Sequence, residues 1–326
     1  MAALIITIAL AIIFAFLNGV HDASNVVSTM ISSRSLSPTK ALIMTAVAEF
    51  IGPFMFGVAV AKTIGQGLVA QEAVTLPVIM AALVGAIVWN IITWVFGIPS
   101  SSSHALVGGI LGAVVVGGGW SHVIPSGLAT VLIALFASPL VGMIVGFIFT
   151  RLIYFLSRGA SLRINWFFKN AQLLTGLGLA LSQGTNDAQK AMGVIALGLV
   201  ASGMLPSFEV PLWVVALSAG ALAAGTATGG WGMIRTLGGK FYKIRPVNGF
   251  SAQLASASVL LAAALLGGPV SSTQVVSSTI AGVGAAERMS KVRWGVMGNI
   301  AVAWLLTIPA TGAVAALAYL LLNMVF

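Results

Sequence analysis

Apolar stretches follow one another along this chain with very little charge between them, and that pattern leaves few folds open. Of its 326 residues, 59% are hydrophobic and only 6% charged. A soluble domain of this size needs a more polar surface. Repeated apolar runs of about 20 residues predict helices that cross a bilayer, hence an all-α polytopic membrane protein. The shorter alternating segments of a membrane barrel are missing. The 38 glycines fit a helix bundle, where small residues let helices approach closely.

The predicted apolar segments run over residues 2–17, 19–33, 41–61, 76–96, 104–117 and 127–154. They resume over 171–183, 188–202, 211–230, 251–266, 273–284 and 295–325. The second set repeats the first in order and relative length, so the chain reads as a duplication. The expected division is a first repeat over 1–155, a connecting loop over 156–170 and a second repeat over 171–326.

The formal charge of +9 sits in short loops between these segments, which points to membrane orientation rather than a nucleic-acid partner. Arg34 and Lys40 make one cluster; Arg151, Arg158, Arg163 and Lys169 a second. Arg235, Lys240, Lys243 and Arg245 make a third, and Arg288, Lys291 and Arg293 a fourth. With all four in the cytoplasm, each repeat crosses an odd number of times. The halves are then inverted relative to each other, and both termini are external. The absence of cysteine removes disulfides and thiolate chemistry. The N-terminus lacks a basic leader region, so no cleaved signal peptide is expected.

Two polar interruptions fall inside this apolar pattern. Gly19-Val20-His21-Asp22-Ala23-Ser24-Asn25 returns as Gly184-Thr185-Asn186-Asp187-Ala188-Gln189-Lys190. A carboxylate within a membrane span is costly and by default marks a substrate or ion pathway. The paired short segments around each interruption suggest helices broken at residues 19–25 and 184–190, since irregular backbone is tolerated at depth where it lines a site.

A second repeated motif lies at Gly97-Ile98-Pro99-Ser100-Ser101-Ser102-Ser103-His104 and Gly267-Gly268-Pro269-Val270-Ser271-Ser272-Thr273-Gln274. Neither connector carries charge, which favours re-entrant helical hairpins with tips near the midplane; full crossings would leave the parity unchanged. Hydroxyls at a helix start are commonly N-caps. Two such starts facing each other across a pseudo-twofold axis also make an anion site, because free N–H groups and the positive dipole end point into it.

These paired motifs resemble those of the inorganic phosphate transporter (PiT) family, in its bacterial form, over nearly the whole chain. The resemblance implies a secondary carrier of phosphate coupled to a cation, in the cytoplasmic (inner) membrane of a prokaryote. It needs no catalytic residue or cofactor, and a homodimer is expected. It also implies that Asp22, Asn25, Ser101, Ser102, Ser103, Asp187, Lys190, Ser271, Ser272 and Thr273 enclose phosphate. The proton count of the substrate agrees with this. Phosphate near neutral pH keeps a P–OH that can donate to an ionised Asp, whereas sulfate has none and leaves the carboxylate unpaired. The alternative role for Asp22 and Asp187 is chiefly cation ligation.

One position departs from the family's sodium-coupled members, which carry Asn three residues after Asp in both halves. Here the first copy has Asn25 and the second has Lys190. A fixed ammonium there would pair with Asp187, attract phosphate or stand where sodium would sit. At an effective dielectric near 20, like charges about 4 Å apart repel by roughly 4 kcal/mol, so proton coupling is favoured. Asp22 and Asn25 retain ligands for sodium. His21, matched by Asn186, His104, matched by Gln274, and Glu49 are the candidate proton carriers.

A different oxyanion such as sulfate is the runner-up substrate. An anion channel would need no midplane carboxylate pair. An intramembrane hydrolase built from Ser101 or Ser103, His104 and Asp22 is disfavoured, because the second half replaces both histidines by amides.

Overall fold

The computed structural model describes residues 1–161, 163–229, 234 and 244–324. Among the described residues the chain is helical: α1 Ala2–Ser32, α2 Pro38–Phe56, α3 Ala59–Gln66, α4 Leu76–Phe96, α5 Ser102–Gly118 and α6 Pro125–Leu156 form the first half. The second half comprises α7 Ile164–Ala201, α8 Leu212–Thr228, α9 Pro246–Leu265, α10 Ser272–Glu287 and α11 Trp294–Leu322. Helices α1, α2, α4, α6, α9 and α11 are long and apolar enough to cross a membrane. Residues 164–170, expected in the connecting loop, are helical and open α7. Arg235, Lys240 and Lys243 lie outside the described residues.

The duplication is visible in the caps and kinks. Gly97, at φ +63°, ends α4 and Gly267, at φ +73°, follows α9. Pro139 inside α6 matches Pro309 inside α11. Each glycine permits a left-handed turn that leads into the serine-rich tip.

Neither α1 nor α7 is broken, contrary to the sequence expectation. α1 runs through its motif for 31 residues and α7 for 38. At 1.5 Å per residue these are rods of about 46 and 57 Å, long enough to cross the bilayer and project beyond it. The motif glycines serve contact instead. A Cβ on Gly19 would lie 2.0 Å from the Leu222 carbonyl oxygen, and one on Gly225 1.9 Å from that of Phe16. The twin crossing is equally tight: Gly184 would meet the Glu49 oxygen at 2.3 Å and Gly52 the Leu181 oxygen at 2.3 Å. So α1 crosses α8 and α7 crosses α2, each pair drawn from opposite halves. The same exchange couples α5 with α11 and α6 with α10. The halves interlock rather than sit side by side.

The hairpins are re-entrant. α4 and α5 pack together, and their outer ends are joined by an antiparallel bridge between Val69 and Val123. Both ends therefore share one face. The tip is buried, with Ser100 and Ser101 fully inaccessible, and abuts the middle of α7 through Ser102 and Lys190. The outer ends of the α9–α10 hairpin are tied on the opposite face by Arg245 and Glu287, 3.6 Å apart. Apolar packing fills the space on both sides of the two tips.

Candidate functional site

The polar motifs of α1 and α7 meet the two hairpin tips between these apolar layers. Asp22, Asn25, Asp187 and Lys190 are each at most 1% exposed. Asp22 Oδ1 accepts hydrogen bonds from Thr273 Oγ1 at 2.5 Å and Asn25 Nδ2 at 3.1 Å. Asp187 Oδ1 accepts from Lys190 Nζ at 2.5 Å, a fully buried ion pair within one helical turn. Ser272 Oγ lies between the two carboxylates, 2.8 Å from Asp187 Oδ2 and 3.4 Å from Asp22 Oδ2. One hydroxyl proton can serve only one of them, and the shorter contact assigns it to Asp187. Lys190 also donates to Ser102 Oγ at 3.0 Å, so the ammonium ties the second motif to the first tip.

The hydroxyls divide into two kinds. Ser101 Oγ accepts from the His104 amide at 3.1 Å, and Ser271 Oγ from the Gln274 amide at 3.3 Å. Both act as N-caps, so at these two positions the capping explanation holds. Ser103 Oγ donates to the Val270 carbonyl at 2.9 Å and locks one tip to the other. Ser102, Ser272 and Thr273 point at the charged groups.

The histidines flank the site. His21 Nε2 lies 3.2 Å from Thr93 Oγ1 and 3.4 Å from Ser100 Oγ, and its Nδ1 is 3.7 Å from Asp22 Oδ1. His104 Nδ1 lies 2.6 Å from Ser101 Oγ, and its Nε2 is 3.5 Å from Gln274 Nε2. Asn186, the twin of His21, donates to the Gly268 carbonyl at 3.5 Å. Glu49 stands apart, behind the α2–α7 crossing. It accepts from Gln183 Nε2 at 2.7 Å and Thr226 Oγ1 at 2.5 Å, and Gln183 Nε2 also reaches the Asp22 carbonyl at 3.1 Å.

Sequence reasoning missed Gln183, Thr226 and Thr93 as supporting residues. Gln183 carried a usable signal, since it falls one helical turn before Asp187 on the same face. Thr226 and Thr93 look like ordinary hydroxyls in apolar helices until the crossing partners are known.

Residues 18–315 match the model of the phosphate transporter family. A Rhizobium meliloti protein described as a probable low-affinity inorganic phosphate transporter is 44% identical over 320 residues, covering 98% of this chain and 96% of its own. One from Bacillus subtilis with the same description is 41% identical over 328 residues, covering 99% and 98%. A solved structure described as the sodium-dependent phosphate transporter superposes with a TM-score of 0.91 at 25% identity, over 100% of both chains. With the family model spanning most of its length and these relatives matched almost end to end, the chain belongs to the phosphate transporter family.

Proposed function

We propose that this chain is a carrier, not an enzyme, that imports inorganic phosphate together with a coupling cation, and that the cation is a proton. The observation that carries the coupling is the Lys190–Asp187 ion pair. The ammonium sits 2.5 Å from Asp187, at the position where the first half has Asn25 beside Asp22. A sodium ion at that end would lie against a buried positive charge, a repulsion of about 4 kcal/mol at 4 Å and a dielectric near 20. Asp22 is left as the carboxylate whose hydrogen-bond donors, Thr273 and Asn25, are neutral. Phosphate offers it a P–OH; the free N–H groups at the starts of α5 and α10 supply donors for the remaining oxygens. His21, beside Asp22, is within reach to relay a proton, and Glu49 is tied through Gln183 to the backbone carbonyl of Asp22.

Sodium coupling is the second reading. The structural neighbour is described as sodium-dependent, and Asp22, Asn25 and Thr273 remain as a set of oxygen ligands. Orientation follows the basic loops, with Arg34, Arg158, Arg163, Arg245 and Arg288 in the cytoplasm and both termini outside. Uptake of labelled phosphate into proteoliposomes, under separately imposed proton and sodium gradients, tests the coupling. A proton gradient alone is expected to drive concentrative uptake. Uptake that needs a sodium gradient and ignores the proton gradient would replace this reading with the second.

A further inference from the structure

The internal twofold lets every residue beside the site be compared with its twin on the other side. On α1 and at its C-cap, Asp22, Asn25, Thr29 and Ser33 form one stripe at helical spacing that runs from the site towards the face at which α6 ends and α7 begins, the linker face. All four are buried, at 9% exposure or less. Thr29 Oγ1 accepts from Gln253 Nε2 on α9 at 2.8 Å, and Gln253 Oε1 accepts from Thr175 Oγ1 on α7 at 2.6 Å. One turn further out, Ser33 Oγ donates to Gln172 Oε1 at 2.8 Å, and Gln172 Nε2 to the Pro246 carbonyl at 2.9 Å. Gly249 makes room for this last pair: a Cβ there would lie 2.5 Å from Gln172 Oε1.

The twins of Thr29, Thr175 and Gln253 are apolar. Aligning Asp22 with Asp187, and Pro99 with Pro269, pairs Thr29 with Val194, Thr175 with Leu10 and Gln253 with Leu83. Ser33 and Gln172 pair with Gly198 and Thr7, which do meet: a Cβ on Gly198 would be 3.3 Å from Thr7 Cγ2. Val194 and Leu83 belong to the apolar layer on the N-terminal face, with Leu10 packed against it. The polar stripe of α7 therefore stops at Lys190, whereas that of α1 continues to the surface.

Interhelical hydrogen bonds alone would account for Thr29, Gln253 and Thr175 as glue between helices. They do not account for Ser28 and Ser256. Both side chains are fully buried, and neither Oγ has a hydrogen-bond partner. Their twins are Gly193 and Ala86, which carry no polar atom in the side chain. A buried hydroxyl without a partner asks for water or a ligand.

We propose that Ser28, Thr29, Thr175, Gln253 and Ser256 line a hydratable passage for phosphate between the site and the linker face, and that the opposite route is closed by a dry plug of Leu10, Leu83 and Val194. Parting the polar set exchanges its hydrogen bonds for bonds to water, at small net cost. Parting the plug exposes apolar surface. Opening towards the linker face is thus the favoured excursion of the empty carrier. The proposal rests on the phosphate-carrier reading for its substrate, but the asymmetry itself is measurable without phosphate.

The chain has no cysteine, so single-cysteine variants report cleanly. Ser256→Cys and Ala86→Cys are reconstituted, and each is treated with a membrane-impermeant thiol reagent from the face its own route would open to. In the absence of phosphate, the cysteine at 256 is expected to react at least about tenfold faster, the population ratio of a favoured to a minor state. Equal rates, or a faster reaction at 86, overturn the proposal. Adding Gln253→Leu and Thr29→Val, which give the passage its twin's side chains, should abolish the rate difference and the uptake while calorimetry still detects phosphate binding. A folded variant that keeps the difference overturns the passage. Failure of the wild-type protein to bind phosphate overturns the carrier reading instead, and leaves the labelling comparison to be judged on its own.

Discussion

Gln274 Nε2 lies 3.5 Å from His104 Nε2, and these two residues are each other's twin in the duplicated sequence. A residue that touches its own counterpart marks the pseudo-twofold axis, so the axis passes between the two hairpin tips. Each tip then presents its helix start to the opposite half. Ser102 of the first tip meets Lys190 of the second half, and Thr273 of the second tip meets Asp22 of the first. The site is symmetric in backbone and asymmetric in charge.

The two aspartates should therefore fail in different ways. Asp22→Asn replaces the charged acceptor of Thr273 and Asn25 by a neutral amide oxygen, without stranding an ammonium. Loss of a charged hydrogen bond costs about 1.5–3 kcal/mol, so phosphate uptake should fall by roughly 10- to 100-fold while the protein remains folded. Asp187→Asn leaves the Lys190 ammonium buried and unpaired, which costs about 3–5 kcal/mol and should appear first as a lower melting temperature. Uptake assays beside thermal unfolding separate the two. Normal transport by both variants would remove the two-carboxylate site.

Selectivity should follow the substrate's protons. Arsenate carries the same As–OH as phosphate carries P–OH and should compete for uptake at comparable concentration. Sulfate leaves Asp22 facing an anion with nothing to donate, and a site built around a substrate OH rejects such an analogue by about 10⁴-fold or more. Inhibition of labelled phosphate uptake by millimolar sulfate would contradict a role for Asp22 as acceptor.

The crossing glycines give a prediction about folding. Gly19→Ala would place its Cβ 2.0 Å from backbone, and backbone cannot step aside as a flexible side chain can. Overpacking costs about 1–3 kcal/mol even where side chains can adjust, so a marked loss of thermal stability is expected. Gly178, in the same α7 helix as Gly184, has open space where its Cβ would be. There Gly→Ala should be neutral or add about 0.5–1 kcal/mol through reduced backbone freedom. Melting temperatures of the two variants, measured side by side in detergent, check the contrast.

Much of this arrangement is legible in the sequence because it is written twice. The limits of α4 come from its apolar run, and the two tips, the motif pairs and the odd lysine from comparing the halves. The continuity of α1 and α7 does not, because a glycine inside a polar interruption looks the same whether it ends a helix or admits a neighbour. Only the crossing partner decides, and Leu222 is more than 200 residues from Gly19. For the same reason the partners of Glu49 are hidden: Gln183 and Thr226 reach it only because α7 and α8 belong to the other half. Ser103 looked equivalent to Ser102, but the close approach of the tips turns it to the Val270 carbonyl.

The sharpest prediction concerns Lys190. Replacing it by asparagine would give the second half the same Asp–Asn pair as Asp22 and Asn25. Asp187 would then keep Ser272 as a donor but lose its cation, which leaves a buried carboxylate uncompensated. A sodium ion is the right size and charge to take that place among Asp187, the asparagine and the hydroxyls of Ser102 and Ser272. Lys190→Asn should consequently be less stable than wild type without salt and should regain stability in sodium chloride but not in choline chloride. Binding at 100 times the dissociation constant would restore about 2.7 kcal/mol. Its phosphate uptake should be weaker in sodium-free buffer and newly stimulated by a sodium gradient. Lys190→Met, which removes the charge and supplies no ligand, should lose uptake in either buffer. If Lys190→Asn behaves like Lys190→Met in sodium, the lysine is not standing in for a mobile cation.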